Sequence, residues 1–139
     1  MPHSHKLRAH WVLPVGAPPI ENGLIEIADG RIVDVRPARP HEGAEDLGRV
    51  VLMPGLVNAH THLELTCLAE KVPFRGSFAG WIRTLMPQHP RRGSREVFTA
   101  SFSEGLRASL AAGVTTIGDI SGGADAVELW TASRLRAVG

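Results

Sequence analysis

Two histidines separated by one residue, His60 and His62, are of a type and spacing that could bind a metal together. The apolar residues around them indicate a strand over residues 56–62. On a strand, positions i and i+2 project to the same face, with Cα atoms about 6.6 Å apart. Two imidazoles on one face can bind one cation at about 2.0–2.1 Å. The same spacing at His3 and His5 lies at the chain terminus, where we interpret the residues as solvent-exposed or tag-like.

The alternation of a strand also predicts which neighbours share a face with the two histidines. Asn58 is expected on the histidine face, with the imidazoles directed into a concavity. The intervening residues are expected to face helices on the other side: Val57, Ala59 and Thr61.

The elements that follow this strand alternate between helix and strand. A short helix is predicted over residues 80–86 and a strand over residues 114–120, with a turn at Gly122-Gly123 and a helix over residues 126–135. Arg136 could open a further strand. Such alternation with short connections is typical of βαβ units around a parallel sheet, so the fold class is α/β.

A long helix is predicted between the two strands. Ser94 can cap it, Glu96 suits its first turn, and Gly113 can end it. Four apolar residues recur every fourth position and are expected to form one buried face: Phe98, Phe102, Leu106 and Leu110.

The first part of the chain has a different pattern of short strands and turns. Strands are predicted over residues 7–13, 24–28, 31–35 and 50–52, with Asn22-Gly23 as a break. Asp29-Gly30 is a two-residue hairpin signal, because both positions tolerate positive φ. We therefore predict a small antiparallel β unit in residues 1–54 and the first βα units of a larger domain in residues 55–139.

Composition excludes several classes of protein. The 139 residues are 43% hydrophobic, and 15 basic residues stand against 14 acidic ones, so no electrostatic footprint for nucleic acid is indicated. No apolar run approaches the length of a membrane span, and the N-terminus lacks a signal-peptide pattern. The single cysteine, Cys67, excludes an internal disulfide. We expect a cytoplasmic protein with a small-molecule substrate and no nucleic-acid or membrane partner; a homo-oligomer is possible.

Several other polar or aromatic residues have two interpretations each. Glu64 could contact substrate or water at the metal site, or order its loop through an ion pair. Trp81 could form a wall of the substrate pocket or simply pack. Asp119 could serve the site, although a cap for the next turn with Ser121 is the safer interpretation. Cys67 is interpreted as a bystander thiol.

A longer motif surrounds the two histidines, and it resembles the entry motif of the amidohydrolase superfamily. It comprises Val51-Leu52-Met53-Pro54-Gly55-Leu56-Val57-Asn58-Ala59-His60-Thr61-His62-Leu63. The Asp29-Gly30-Arg31-Ile32 hairpin and the Ala112-Gly113-Val114-Thr115-Thr116 segment resemble further parts of that family. The resemblance implies a small β-sandwich portion followed by a (β/α)8 TIM-like barrel, incomplete in this chain, with His60 and His62 as metal ligands.

The residues after the motif resemble one branch of the family. Leu63-Glu64-Leu65 and Gly80-Trp81-Ile82 are similar to the deaminases of adenosylhomocysteine, aminodeoxyfutalosine and guanine and to the triazine hydrolases. The segment Met86-Pro87-Gln88-His89-Pro90 departs from the Trp-Pro-X-Glu-like stretch often found there. His41 and His89 are not evident metal ligands, since nothing in the sequence brings them near the strand end.

The resemblance implies metal-assisted hydrolysis of carbon–nitrogen bonds other than peptide bonds, with deamination of an aminopurine or similar amidine as the expected reaction. The expected metal is zinc, with iron as an alternative. No catalytic residue is identifiable, because the family's proton shuttle and remaining ligands are expected beyond Gly139. We therefore expect residues 1–139 alone to be inactive. The alternatives are a cyclic amidase similar to dihydroorotase or hydantoinase, and a non-catalytic truncated fragment.

Overall fold

The chain divides into two compact units, Met1–Pro54 and Gly55–Gly139. The structure, a computed structural model, describes residues 4–120 and 124–138. The predicted Gly122-Gly123 turn and the residues His3 and Ser121 therefore lie outside the described residues. No helix in the described ranges has the length and apolar character needed to cross a membrane.

The N-terminal unit is built on one five-stranded sheet. Its strands are β1 (Ser4–Val12), β2 (Ile20–Ala28), β3 (Arg31–Pro37), β4 (Glu45–Asp46) and β5 (Val51–Leu52). The order is β3-β2-β1-β4, with β5 also paired to β1. β1, β2 and β3 are antiparallel as predicted, but β4 and β5 run parallel to β1. The described residues of this unit supply one layer, so a second layer of the expected sandwich is not among them.

The turn between β2 and β3 has the backbone that its sequence predicts. Asp29 and Gly30 have φ values of 50° and 72°, and Ala28 pairs with Arg31 across them. Positive φ at both central positions matches the twist of a hairpin. The predicted break at Asn22-Gly23 is wrong, because Asn22 adopts a φ of 47° and β2 continues through it.

An ion-pair cluster ties the segment after β3 to the strands. The Glu42 carboxylate accepts hydrogen bonds from Arg36 Nη1 at 2.8 Å and from Lys6 Nζ at 3.0 Å. These bonds, the Arg36 bond first, hold the pKa of Glu42 well below its ordinary range. The same carboxylate raises the pKa of Lys6. The cluster therefore contributes to stability only while Glu42 is ionised in the folded chain.

We predict that Glu42→Gln lowers the urea midpoint at neutral pH. A depressed folded-state pKa stabilises the protein above the unfolded value of 4.5, and this contribution is lost as the pH falls toward the folded value. The difference in urea midpoint between wild type and Glu42→Gln should therefore become smaller at acidic pH. Glu21→Gln, at an exposed position of β2, is the control and should have little effect. A gap that stays constant with pH would contradict the assignment.

The C-terminal unit has a three-stranded parallel sheet with the order β6-β7-β8. Its strands are β6 (Leu56–Thr61), β7 (Val114–Asp119) and β8 (Arg136–Val138), and its helices are α1 (Phe78–Leu85), α2 (Arg95–Ala111) and α3 (Ala124–Ala132). A 3₁₀ helix, Leu63–Leu68, follows β6. The βαβ prediction is confirmed, and Arg136 does open a third strand. α3 begins and ends earlier than predicted, because Leu135 joins the core from the segment before β8.

Helix α2 supplies most of the core of this unit. The Ser94 hydroxyl accepts a hydrogen bond from the Val97 N–H at 3.4 Å, which caps the helix as predicted. Phe98, Phe102 and Leu106 are buried, in one cluster with residues of the 3₁₀ helix, β7 and α3.

The prediction of a four-residue buried face is wrong at its last member, because Leu110 is 40% exposed. At 3.6 residues per turn, each step of four residues rotates by about 40°, and three steps from Phe98 to Leu110 rotate by about 120°. The fourth residue has therefore left the buried face.

We predict that Phe102→Ala costs about 3–5 kcal/mol of unfolding free energy, because a fully buried aromatic leaves a cavity. Leu110→Ala should cost far less, since its side chain already contacts water. Urea unfolding of the two variants measures the difference. Equal losses would show that the packing of α2 has been assigned wrongly.

Candidate metal and substrate site

Strand β6 ends at the two histidines. His60 is its penultimate residue and His62 follows its last residue. Both side chains are exposed and line the same cavity, with ring centroids 5.2 Å apart and ring planes at 74°. The half-buried Asn58 accepts a hydrogen bond from the His60 N–H through Oδ1 at 3.3 Å. The expected convergence of the two imidazoles on one concavity is therefore found.

The opposite side of β6 differs from the expectation. Val57 is 67% exposed and Ala59 is exposed, whereas both were expected to lie under helices. The reason is that α2 packs mainly on the 3₁₀ helix that follows β6.

Two hydrogen bonds from neighbouring chain segments hold the histidine segment. The Leu63 N–H donates to Asp119 Oδ1 at 3.0 Å, and the Ile120 N–H donates to the Thr61 carbonyl at 2.9 Å. Asp119 is 1% exposed and bonds across the sheet. The expected cap of the next turn with Ser121 lies outside the described residues. The bond to Asp119 fixes the backbone directly after His62 to the end of β7, at the carboxyl ends of the parallel strands.

The cavity has a volume of about 500 Å³ and combines a few polar groups with an apolar wall. Besides the two histidines it is lined by Glu64, Leu65, Phe78, Trp81, Ile82, Leu85, Met86, His89 and Ile120. Such a mixture is typical of small-molecule sites. Glu64 and Trp81, both singled out from the sequence, thus lie at the same cavity; their contact with a substrate stays a prediction.

Helix α1 positions the aromatic part of the wall. The Ser77 hydroxyl accepts a hydrogen bond from the Gly80 N–H and starts the helix at Phe78, two residues before the predicted start. Trp81 donates its indole N–H to the Val72 carbonyl at 3.0 Å, and its ring centroid lies 5.8 Å from that of Phe78. Because the indole donor is occupied, Trp81 offers the cavity an apolar ring.

His89 is a cavity residue that sequence reasoning missed. It follows the 3₁₀ turn Met86–Gln88 after α1, and its Nε2 lies 3.4 Å from Glu64 Oε1. The His62 Nδ1 lies 3.8 Å from the same oxygen. The only sequence signal was the departure of this segment from the family's usual Trp-Pro-X-Glu-like pattern. His41 belongs to the other unit.

The two histidines fit part of a metal site. Neutral imidazole nitrogens bind zinc and iron well, and the rings are adjacent on one cavity. Within residues 4–120 and 124–138, no group of three or more His, Cys, Asp or Glu side chains is placed to hold one ion. A catalytic zinc site usually has three protein ligands, so the described residues supply a pair and not a full set.

Comparison with known proteins gives the family context of this site. No model of a known protein family matches the chain. A 5-methylthioadenosine/S-adenosylhomocysteine deaminase of Moorella thermoacetica is 31% identical over 126 residues, which cover 84% of this chain and 28% of the relative. The sequence relatives and structural neighbours of this chain are deaminases and chlorohydrolases, which is consistent with the amidohydrolase superfamily.

Solved structures of amidohydrolases share the fold. An adenosine deaminase from Xanthomonas campestris with bound zinc has a TM-score of 0.75 and 24% identity, covering 96% of this chain and 32% of that protein. A mutant atrazine chlorohydrolase from Arthrobacter aurescens, complexed with zinc and atraton, has a TM-score of 0.75 and 19% identity. The match covers 95% of this chain and 34% of the chlorohydrolase. The chain thus spans about a third of these amidohydrolases. The sequence-based recognition of the family and of its hydrolytic class is confirmed.

One close approach between β6 and β7 gives a test of the site's architecture. A Cβ added at Gly118 on β7 would lie 2.5 Å from the Ala59 carbonyl oxygen of β6, next to His60. We predict that Gly118→Ala costs about 1–3 kcal/mol of unfolding free energy, because backbone atoms must move apart. Gly43→Ala is the control, since nothing lies within 4 Å of that position. If both variants unfold at the wild-type urea concentration, the close strand contact is wrong.

Proposed function

We propose that this chain is the N-terminal part of a metal-dependent hydrolase that deaminates an aminopurine or a similar amidine. β6, β7 and β8 would be the first three strands of a (β/α)8 barrel. The observation that carries the proposal is the pair His60 and His62 at the carboxyl end of a parallel strand, both lining one cavity. In parallel α/β barrels this end of the strands carries the active site.

The proposed metal ligands are His60 and His62, and the proposed metal is zinc, with iron as the alternative. When bound, a divalent cation lowers the pKa of water to about 7, which makes a nucleophile available at neutral pH. The exposed imidazoles are the part of the site that this chain supplies. Zinc in the Xanthomonas and Arthrobacter structures supports the choice of metal.

The cavity wall supports a flat, weakly polar substrate. Phe78 and Trp81 present rings to the cavity, and an aromatic face favours stacking on a heterocycle. Ile82, Leu85 and Met86 add apolar surface to the same wall. The names of the Moorella and Xanthomonas relatives, both deaminases of adenosine-type compounds, support an aminopurine.

The cavity argues against the cyclic amidase alternative. Such enzymes often use an arginine to bind a substrate carboxylate. Among the described residues, none that lines this cavity is an arginine. A small-molecule substrate, a cytoplasmic location and a possible homo-oligomer stay part of the proposal, as does the expectation of no nucleic-acid or membrane partner.

We predict weak zinc binding by residues 1–139 that depends on both histidines. Two imidazoles provide fewer ligands than a complete catalytic site, so affinity should be modest. Competition with a chromophoric chelator measures it. His60→Ala and His62→Ala should each abolish binding at the cavity, whereas His41→Ala, in the other unit, should leave it unchanged. Equal affinity in wild type and His60→Ala would overturn the proposed metal site.

Residues 1–139 alone are further predicted not to turn over substrate. The described residues supply no group of three or more ligands for one ion, which leaves the proposed catalytic site incomplete. Ammonia release from adenine nucleosides and aminotriazines, measured after zinc loading, should equal the background. Multiple turnover that disappears in His60→Ala would contradict this prediction and would mean that an oligomer completes the site.

A further inference from the structure

Glu64 is a buried carboxylate to which the proposed reaction assigns no step. Its side chain is only 3% exposed, although it borders a cavity. Burial of a carboxylate is costly unless charged or hydrogen-bonding partners compensate. Two imidazoles, those of His62 and His89, face the same carboxylate oxygen, at 3.8 Å and 3.4 Å. The residue is therefore placed between a proposed metal ligand and the cavity wall.

The backbone of Glu64 is held from helix α2. The Ser101 hydroxyl donates to the Glu64 carbonyl at 2.6 Å and accepts from the Cys67 N–H at 2.8 Å. Gly105 permits this close packing, because a Cβ there would lie 3.2 Å from the Leu63 carbonyl oxygen and 2.6 Å from the Thr66 hydroxyl. The fixed backbone and the burial of the side chain together place the carboxylate beside the imidazoles.

The atoms that face Glu64 define the orientation of the His62 ring. Its Nδ1 is the nitrogen that lies 3.8 Å from Glu64 Oε1, and the residue lines the cavity. A carboxylate beside one imidazole nitrogen favours the tautomer with the proton on that nitrogen and a lone pair on the other. Metal-binding histidines commonly direct their second nitrogen to such a partner.

His89 brings a second segment of the chain to the Glu64 carboxylate. Its side chain is 16% exposed, lines the cavity and directs Nε2 at the oxygen that also faces His62. The segment after α1 is thereby connected to the histidine segment after β6 through one carboxylate.

We propose that Glu64 is a positioning residue that holds His62 with Nε2 toward the cation and anchors His89 as part of the substrate wall. This inference rests on the proposed function for the metal, whereas the orientation of the two rings can be measured without it.

The first test is zinc affinity in the 139-residue chain, measured by chelator competition. Glu64→Gln keeps the size of the side chain but removes the charge, and it should weaken zinc binding by about 10–100-fold. Glu70→Gln, at an exposed position of the same unit, is the matched control and should bind as wild type. His89→Gln should also retain wild-type zinc affinity, because His89 is assigned to the wall. Wild-type affinity in Glu64→Gln would overturn the proposal.

The second test is the imidazole tautomer, measured by ¹⁵N NMR of metal-free protein at a pH where imidazole is neutral. His62 should carry its proton on Nδ1 in wild type and should become a mixture of tautomers in Glu64→Gln. If Glu64→Gln loses its native circular dichroism, the wild-type spectrum decides, and a proton on Nε2 of His62 overturns the proposal. Absence of zinc binding in wild type, together with the Nδ1 tautomer, would instead reject the proposed function and leave the positioning role standing.

Discussion

The hydrogen bond from the Leu63 N–H to the buried Asp119 carboxylate is the constraint on which the site depends. It joins the residue after His62 to the end of β7, and the Ile120 N–H to Thr61 bond repeats the connection in the other direction. A buried backbone donor left without an acceptor would cost about 1–3 kcal/mol, so this pairing strongly specifies where the strand stops. That fixed strand end places the backbone of both histidines at one cavity.

The 3₁₀ helix after β6 contributes one residue to the core and one to the cavity wall. Leu63 points into the core with Phe102 and Ile117, while Glu64 borders the cavity. One short segment therefore couples the packing of α2 to the position of the proposed site. The site is also coupled directly to β7, because Gly118 lies against the Ala59 carbonyl of β6, next to His60.

The N-terminal unit is stabilised in a different way. Its sheet buries few large residues, among them Leu24 and Val12, and a cluster of ion pairs around Glu42 joins its strands. Pairs of this kind are partly screened by water and by salt, so their value depends on pH and ionic strength. The C-terminal unit relies instead on apolar contacts between α2, α3 and the parallel sheet.

Much of this architecture is encoded in local patterns of the sequence. The shared cavity of His60 and His62, the Asp29-Gly30 turn and the Ser94 cap each depend on residues a few positions apart, and such short-range preferences can be read from the spacing of residue types. Other features are decided by contacts between distant segments. Asp119 reaches Leu63, 56 residues away, and His89 reaches Glu64 from beyond α1. No local pattern encodes these contacts, since they arise only when separate elements pack together.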